Sequence, residues 1–177
     1  MLNKIIACSM DIKTVNDLLL KATKGKFKLY DREKFEQRVS DIKSLSNSFF
    51  SFFVGMEEDI YNVRHEVEKI IKNRFPNIDQ KKLYNILLVF TELSTNMIKH
   101  ACNGYFEIYL DHNDIYMLFK DSGAGISIDR IPYITLSNYS RLEDSLGFGF
   151  NICIELSDSI EMETSQDGTN IIVLMRI

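Results

Sequence analysis

At 177 residues, with 45% hydrophobic and 26% charged side chains, the chain has the length and balance of one soluble globular domain with room for a short appendage. Its net charge of −4 gives no concentrated basic face for nucleic acid, and the apolar run FFSFFV (49–54) is too short to span a bilayer. Cys8, Cys102 and Cys153 form no C-x-x-C pair and the three histidines show no ligand spacing, so neither a disulfide framework nor a zinc site is expected.

The first two elements read as helices, at about 11–24 and 31–46, with Asp31 as an N-cap and Phe35, Val39, Ile42 and Leu45 recurring at helical spacing. A phenylalanine-rich strand follows at 48–55, then a helix from about 59 to 74 that ends before Pro76. Asp79 caps the next helix, which runs to about 102. On a helical wheel Leu83, Ile86, Leu87, Phe90, Leu93, Met97 and Ala101 make its apolar face, with Asn85, Leu88, Glu92, Asn96 and Lys99 opposite. Segments 104–110 and 115–121 alternate around the turn DHND as a hairpin, and the second breaks at Asp121 into DSGAGI (121–126). About twenty polar residues lead to LGFGF (146–150) and a helix at 150–157. SIEMETS, QDG and TNIIVLMRI then form a closing hairpin. Helices first and strands after predict an α+β layer fold.

Glu92 and Asn96 stand one helical turn apart and project from one side. An amide oxygen such as that of Asn96 suits Mg²⁺ when a nucleotide supplies the other ligands. A carboxylate at Glu92 can accept a proton from an attacking hydroxyl, and Lys99 can meet a phosphate as a point charge. Alone, such a pair is more often an exposed polar face. Asp121 at a strand end, before Gly123 and Gly125, can accept a hydrogen bond from a ring amino group where glycines let the backbone approach closely, although turns commonly use the same residues. Gly147 and Gly149 ahead of a helix can offer N–H groups to phosphate, or simply form a loop.

The three elements occur together and in order, followed by Gly168-Thr169 at the start of the last strand. In this the chain resembles the GHKL nucleotide-binding superfamily of gyrase, histidine kinases and MutL. ELSTNMIKHA (92–101) matches the N box, DSGAGI the first glycine box (D-x-G-x-G) and LGFGF the second (G-x-G). The resemblance covers about 48–177 and implies a two-layer α/β sandwich of the Bergerat type, whose mixed, mostly antiparallel sheet is covered on one face by helices. It leaves residues 1–47 as a helical N-terminal extension: a partner-binding arm, a dimerisation element or a cover for the site. It implies ATP and Mg²⁺ as ligands, Asn96 on the metal, Asp121 on the adenine amino group, Glu92 as general base and Thr169 at the adenine end. Gly123, Gly125, Gly147 and Gly149 would shape the pocket beside Ile126 and Lys99. His100 either contacts nucleotide or packs on its helix. Residues 127–145 would form the nucleotide lid, with Arg130 and Arg141 each either reaching the γ-phosphate or standing in solvent.

Within that superfamily the short chain is most similar to the bacterial anti-sigma-factor and switch serine/threonine kinases, which transfer the γ-phosphate of ATP to a serine of a STAS-domain partner. The resemblance therefore implies a cytoplasmic regulator in a partner-switching pathway, with a STAS-domain protein, and in some members a sigma factor, as partner, and with homodimerisation open. It implies no nucleic acid and no membrane partner. The alternative is a non-catalytic sequestering module whose affinity bound nucleotide sets. A catalytic domain detached from a histidine kinase would need a phosphoacceptor, and His65, the histidine upstream, reads as a surface or packing residue. Phe150 departs from the pattern, standing where a smaller aliphatic residue is common.

Overall fold

The computed structural model describes residues 11–135 and 147–177. Three aspartates set helix starts by accepting a hydrogen bond from a backbone N–H that the helix itself leaves unpaired. Asp11 accepts from Thr14 (2.7 Å) and opens α1 (Ile12–Ala22). Asp31 accepts from Lys34 (2.9 Å) and opens α2 (Arg32–Leu45). Asp79 accepts from Lys82 (2.9 Å) and opens α4 (Gln80–Ala101). The strand β2 (Ser48–Val54) and helix α3 (Glu57–Arg74) precede α4. The hairpin β3 (Gly104–Asp111) and β4 (Asp114–Asp121) follows it, with His112 and Asn113 between the strands. A 3-10 turn (Ile128–Arg130) leads into α5 (Ile131–Thr135). The chain closes with α6 (Gly147–Leu156), β5 (Ser159–Ser165) and β6 (Gly168–Arg176).

The N-terminal segment holds more than helices. Phe27–Leu29 forms a strand, β1, that pairs in parallel with β5, Phe27 lying opposite Ile160. Three residues are too few to show an alternating pattern, and their partner lies at the far end of the chain. The resulting six-stranded sheet has the order β1-β5-β6-β4-β3-β2, with every other neighbouring pair antiparallel.

Because side chains alternate along a strand, the sheet sorts its residues into two sets. Phe106, Ile108, Met117 and Phe119 join Val63 and Val67 of α3, Phe90 and Leu93 of α4 and Val15 and Leu19 of α1 in the main core. The Phe106 ring sits 4.7 Å from that of Phe90 and 5.0 Å from that of Phe119, fixing α4 across β3 and β4. That contact turns the side of α4 bearing Asn96 toward the end of β4.

The opposite face is not bare. Phe35 and Ile42 of α2 cover Tyr109, Tyr116, Leu118, Ile172 and Leu174 in a second, smaller cluster. The α+β two-layer architecture therefore holds, with α2 of the N-terminal segment laid on the other face of its sheet. An ion pair anchors it. Arg38 Nε donates to Glu161 Oε2 at 3.0 Å, where the Glu161 side chain is 5% exposed. Arg38→Ala would leave that carboxylate buried and unpaired, a loss of about 3 kcal/mol. In a chain of this size the midpoint of thermal unfolding should fall by about 6–12 °C. The double replacement Arg38→Met with Glu161→Leu is expected to recover most of it, as calorimetry would show.

Candidate functional site

A cavity of about 460 Å³ opens where α4, the end of β4, the loop after it, β6 and α6 meet. Its size lies within the range of small-molecule sites. Asn96 and His100 reach it from α4, Asp121 from the end of β4, Gly123, Gly125 and Ile126 from the next loop, and Thr169 from β6. Leu93, Met97, Phe119, Phe150 and Ile171 supply apolar walls suited to a flat ring. These positions are scattered from 93 to 171, and only the fold brings them together.

Asp121 organises the floor. One carboxylate oxygen, Oδ1, accepts hydrogen bonds from the backbone N–H groups of Gly123 (2.9 Å) and Thr169 (3.1 Å). This ties the loop to the final hairpin and orients the carboxylate, so its other oxygen can serve a ligand. Two further bonds secure the loop: Ile126 N–H donates to Thr164 Oγ1 (2.8 Å), and that hydroxyl lies 3.1 Å from Thr169 Oγ1. Thr164 carries no motif. Its role comes from its place on β5 opposite Thr169, which sequence spacing does not reveal.

The two glycines of DSGAGI act differently. Gly123 packs on the end of α4, where an added β-carbon would press on Ala101 and the carbonyl of His100. Gly125 has φ +67° and lies against the backbone carbonyl of Ser165. Gly125→Ala combines a left-handed conformation with a clash against strand backbone, each costing on the order of 1–3 kcal/mol. A fall in the thermal midpoint of about 5–10 °C and at least a tenfold loss of nucleotide affinity are expected. Differential scanning fluorimetry with and without nucleotide reads both.

Two expectations change. Lys99 does not line this cavity. It lines a separate groove of about 300 Å³ between α3 and α4, with Glu57, Tyr61, Arg64, Thr91 and Thr95. At about 100° per residue, Lys99 stands some 60° from Asn96 around α4, on the side toward α3. Next, α6 begins at Gly147 rather than at 150, so Gly147 and Gly149 belong to its first turn, whose N–H groups lack intrahelical partners. Of that box it is Phe150 that lines the cavity, buried and edge-on to Phe27 of β1 at 5.9 Å. Phe150 thus both narrows the cavity and joins the N-terminal strand to it. Finally, Arg130 lines the cavity, whereas Arg141 lies outside the described residues, as does most of the expected lid.

Glu92 is half-buried one turn before Asn96 and lies against the first turn of α6, where a β-carbon on Gly149 would fall on its Oε2. A glycine there leaves room for the carboxylate. Burial and then the Glu92 charge push the neighbouring Cys153 thiol up to about 12, so that thiol stays protonated and inert near neutral pH. His65 is exposed on α3. Among the described residues no three His, Cys, Asp or Glu side chains gather as a metal site, and no helix is long and apolar enough to cross a membrane. A divalent cation here would therefore rest on one amide, Asn96, and on oxygens from a ligand. That suits Mg²⁺, which takes one or two protein ligands beside phosphate and water.

Residues 54–176 match the histidine kinase-like ATPase domain. The anti-sigma F factor of Bacillus subtilis (strain 168) is 27% identical over 135 residues, which is 72% of this chain and 90% of that protein.

Proposed function

The chain belongs to the histidine kinase-like ATPase domain family, and from that membership we propose that it binds ATP with Mg²⁺ and transfers the γ-phosphate to a serine or threonine of a STAS-domain partner in a bacterial partner-switching pathway. The observation that carries the reading is the convergence of Asn96, Asp121, Gly125 and Thr169 on one cavity, with Glu92 one turn from Asn96 on the same helix. The name and coverage of the anti-sigma F factor relative support the regulatory setting.

In this reading the adenine lies between Met97, Phe119 and Ile171, with its amino group donating to Asp121. The triphosphate extends toward the N-terminus of α6, where helix N–H groups favour anions. Asn96 would hold Mg²⁺, which would supply charge neutralisation for the phosphates. Phosphoryl transfer then needs positioning more than covalent help. The acceptor hydroxyl oxygen bonds to the γ-phosphorus as the bond from that phosphorus to the β,γ-bridging oxygen breaks. ADP departs with the electron pair, and Glu92 takes the hydroxyl proton. Arg130, which lines the cavity, would meet γ-phosphate charge.

Incubation of the chain with ATP, Mg²⁺ and candidate STAS-domain proteins, followed by phosphosite mapping, tests this. Phosphoserine or phosphothreonine on the partner is expected. A partner that binds but stays unmodified would leave the second reading, a sequestering module with nucleotide-set affinity. That reading is favoured by the relative's description as an anti-sigma factor.

A further inference from the structure

α6 meets the cavity through Phe150 in its first turn, so the placing of that helix decides what a ligand finds there. Two adjoining residues of the N-terminal segment, neither of which lines the cavity, hold the helix. Phe27 is fully buried and its ring meets that of Phe150 at 5.9 Å. Lys26 Nζ donates to the backbone carbonyls of Glu155 (2.8 Å) and Ile154 (3.3 Å) in the last turn of α6. Those carbonyls have no partner within the helix, and a cation there also answers the negative end of the helix dipole. Both residues are themselves fixed. The Lys26 carbonyl accepts from Ile160 N–H (2.7 Å) and Tyr30 N–H donates to the Met162 carbonyl (2.8 Å), which seats β1 on β5. Along the other edge of β1, Phe27 N–H donates to Thr23 Oγ1 (3.0 Å) and Leu29 N–H to Asn16 Oδ1 (2.7 Å). An edge that would otherwise invite pairing is closed by side chains of α1 and its cap.

The geometry points to Lys26 and Phe27 as positioning residues of the nucleotide cavity. Phe27 backs the Phe150 ring where that ring forms cavity wall, and Lys26 holds the opposite end of the same helix. Two fixed points set where α6 lies, and with it the first-turn N–H groups that meet phosphate in the reading proposed above. This role rests on that reading and adds to it. The family match covers residues 54–176, yet the wall at Phe150 is held by residues outside that stretch. The rest of the element is equally embedded: Val15 and Leu19 of α1 are fully buried in the core that also contains Ile131 of α5 and Ile154 of α6. Apparent affinity falls in proportion to the share of molecules whose site is correctly formed. A small local loss at β1 therefore becomes a loss of nucleotide binding, although the nucleotide never touches β1.

Isothermal titration of the full chain with Mg-ATP tests this role. Phe27→Leu stays apolar but opens a gap behind Phe150, and should weaken ATP binding about tenfold. In a chain that already carries Phe150→Leu, the same change should alter ATP affinity by less than about twofold, because no ring is left to back. A residue that served folding alone would show no such dependence. Lys26→Met keeps the alkyl stem and removes the donors without opening the core, so it decides the matter if Phe27→Leu does not fold. It should weaken ATP binding about three- to fivefold, and Lys26→Arg, which keeps charge and donors, should bind as the parent does. A parent chain that binds no ATP overturns the nucleotide reading and this role with it. A parent that binds ATP, beside a Lys26→Met or Phe27→Leu variant that binds it equally well, overturns that residue's role and leaves the reading of the cavity standing. An equal loss from Phe27→Leu with and without the Phe150 ring also overturns the role of Phe27.

Discussion

Replacing Asp121 with asparagine is expected to weaken ATP binding by about 100-fold, about 2.7 kcal/mol, with little change in the fold. The asymmetry follows from the two oxygens of the carboxylate. Oδ1 accepts from the N–H groups of Gly123 and Thr169, and an asparagine oxygen can do the same. The second position changes from a charged acceptor to an N–H donor, and it would then face the donor amino group of adenine. One charge-assisted bond is lost, and two donors are left opposed. Guanine carries an acceptor at the equivalent ring position, so the variant should bind GTP relatively better than the parent does. Isothermal titration with ATP and GTP reads this directly. ATP affinity within threefold of the parent would mean that Asp121 holds the loop and does not read the base.

That prediction draws on the part of the molecule most open to sequence reading. Asp79, Asn96, Asp121 and the glycines announce themselves through local physics: a cap, a polar position on a half-apolar helix, a backbone that must turn tightly. Each is visible within a window of about ten residues. What escaped such reading depends on partners far along the chain. Phe27–Leu29 is a strand only because β5 lies beside it, and Thr164 matters only because Ile126 and Thr169 come to it. Lys99 shows a subtler limit. A wheel places it on the same broad polar face as Asn96, yet α3 packs on one side of that face and the loop after β4 on the other. The face is thereby divided between two grooves. Glu92 stands at the division, between Lys99 and Asn96 around the helix.

Glu92→Gln tests what that position does. Glutamine keeps the shape that fits beside Gly149 and removes the ability to take a proton at neutral pH. Transfer to the acceptor is expected to fall by about 10²–10⁴-fold, the usual contribution of general base catalysis. ATP affinity should stay within about threefold, because the cavity walls and Asn96 are untouched. Cys153 offers an independent check that the substitution acts by removing charge. The Glu92 carboxylate is the second cause, after burial, that raises its thiol, so the variant should show a lower Cys153 pKa in thiol titration. If transfer persists at the parental rate while the thiol shifts, the charge has been removed without consequence and the base must be sought elsewhere. If transfer is lost and the partner is still held, catalysis and sequestration are separate properties of one surface. The anti-sigma reading would then survive the loss of the kinase.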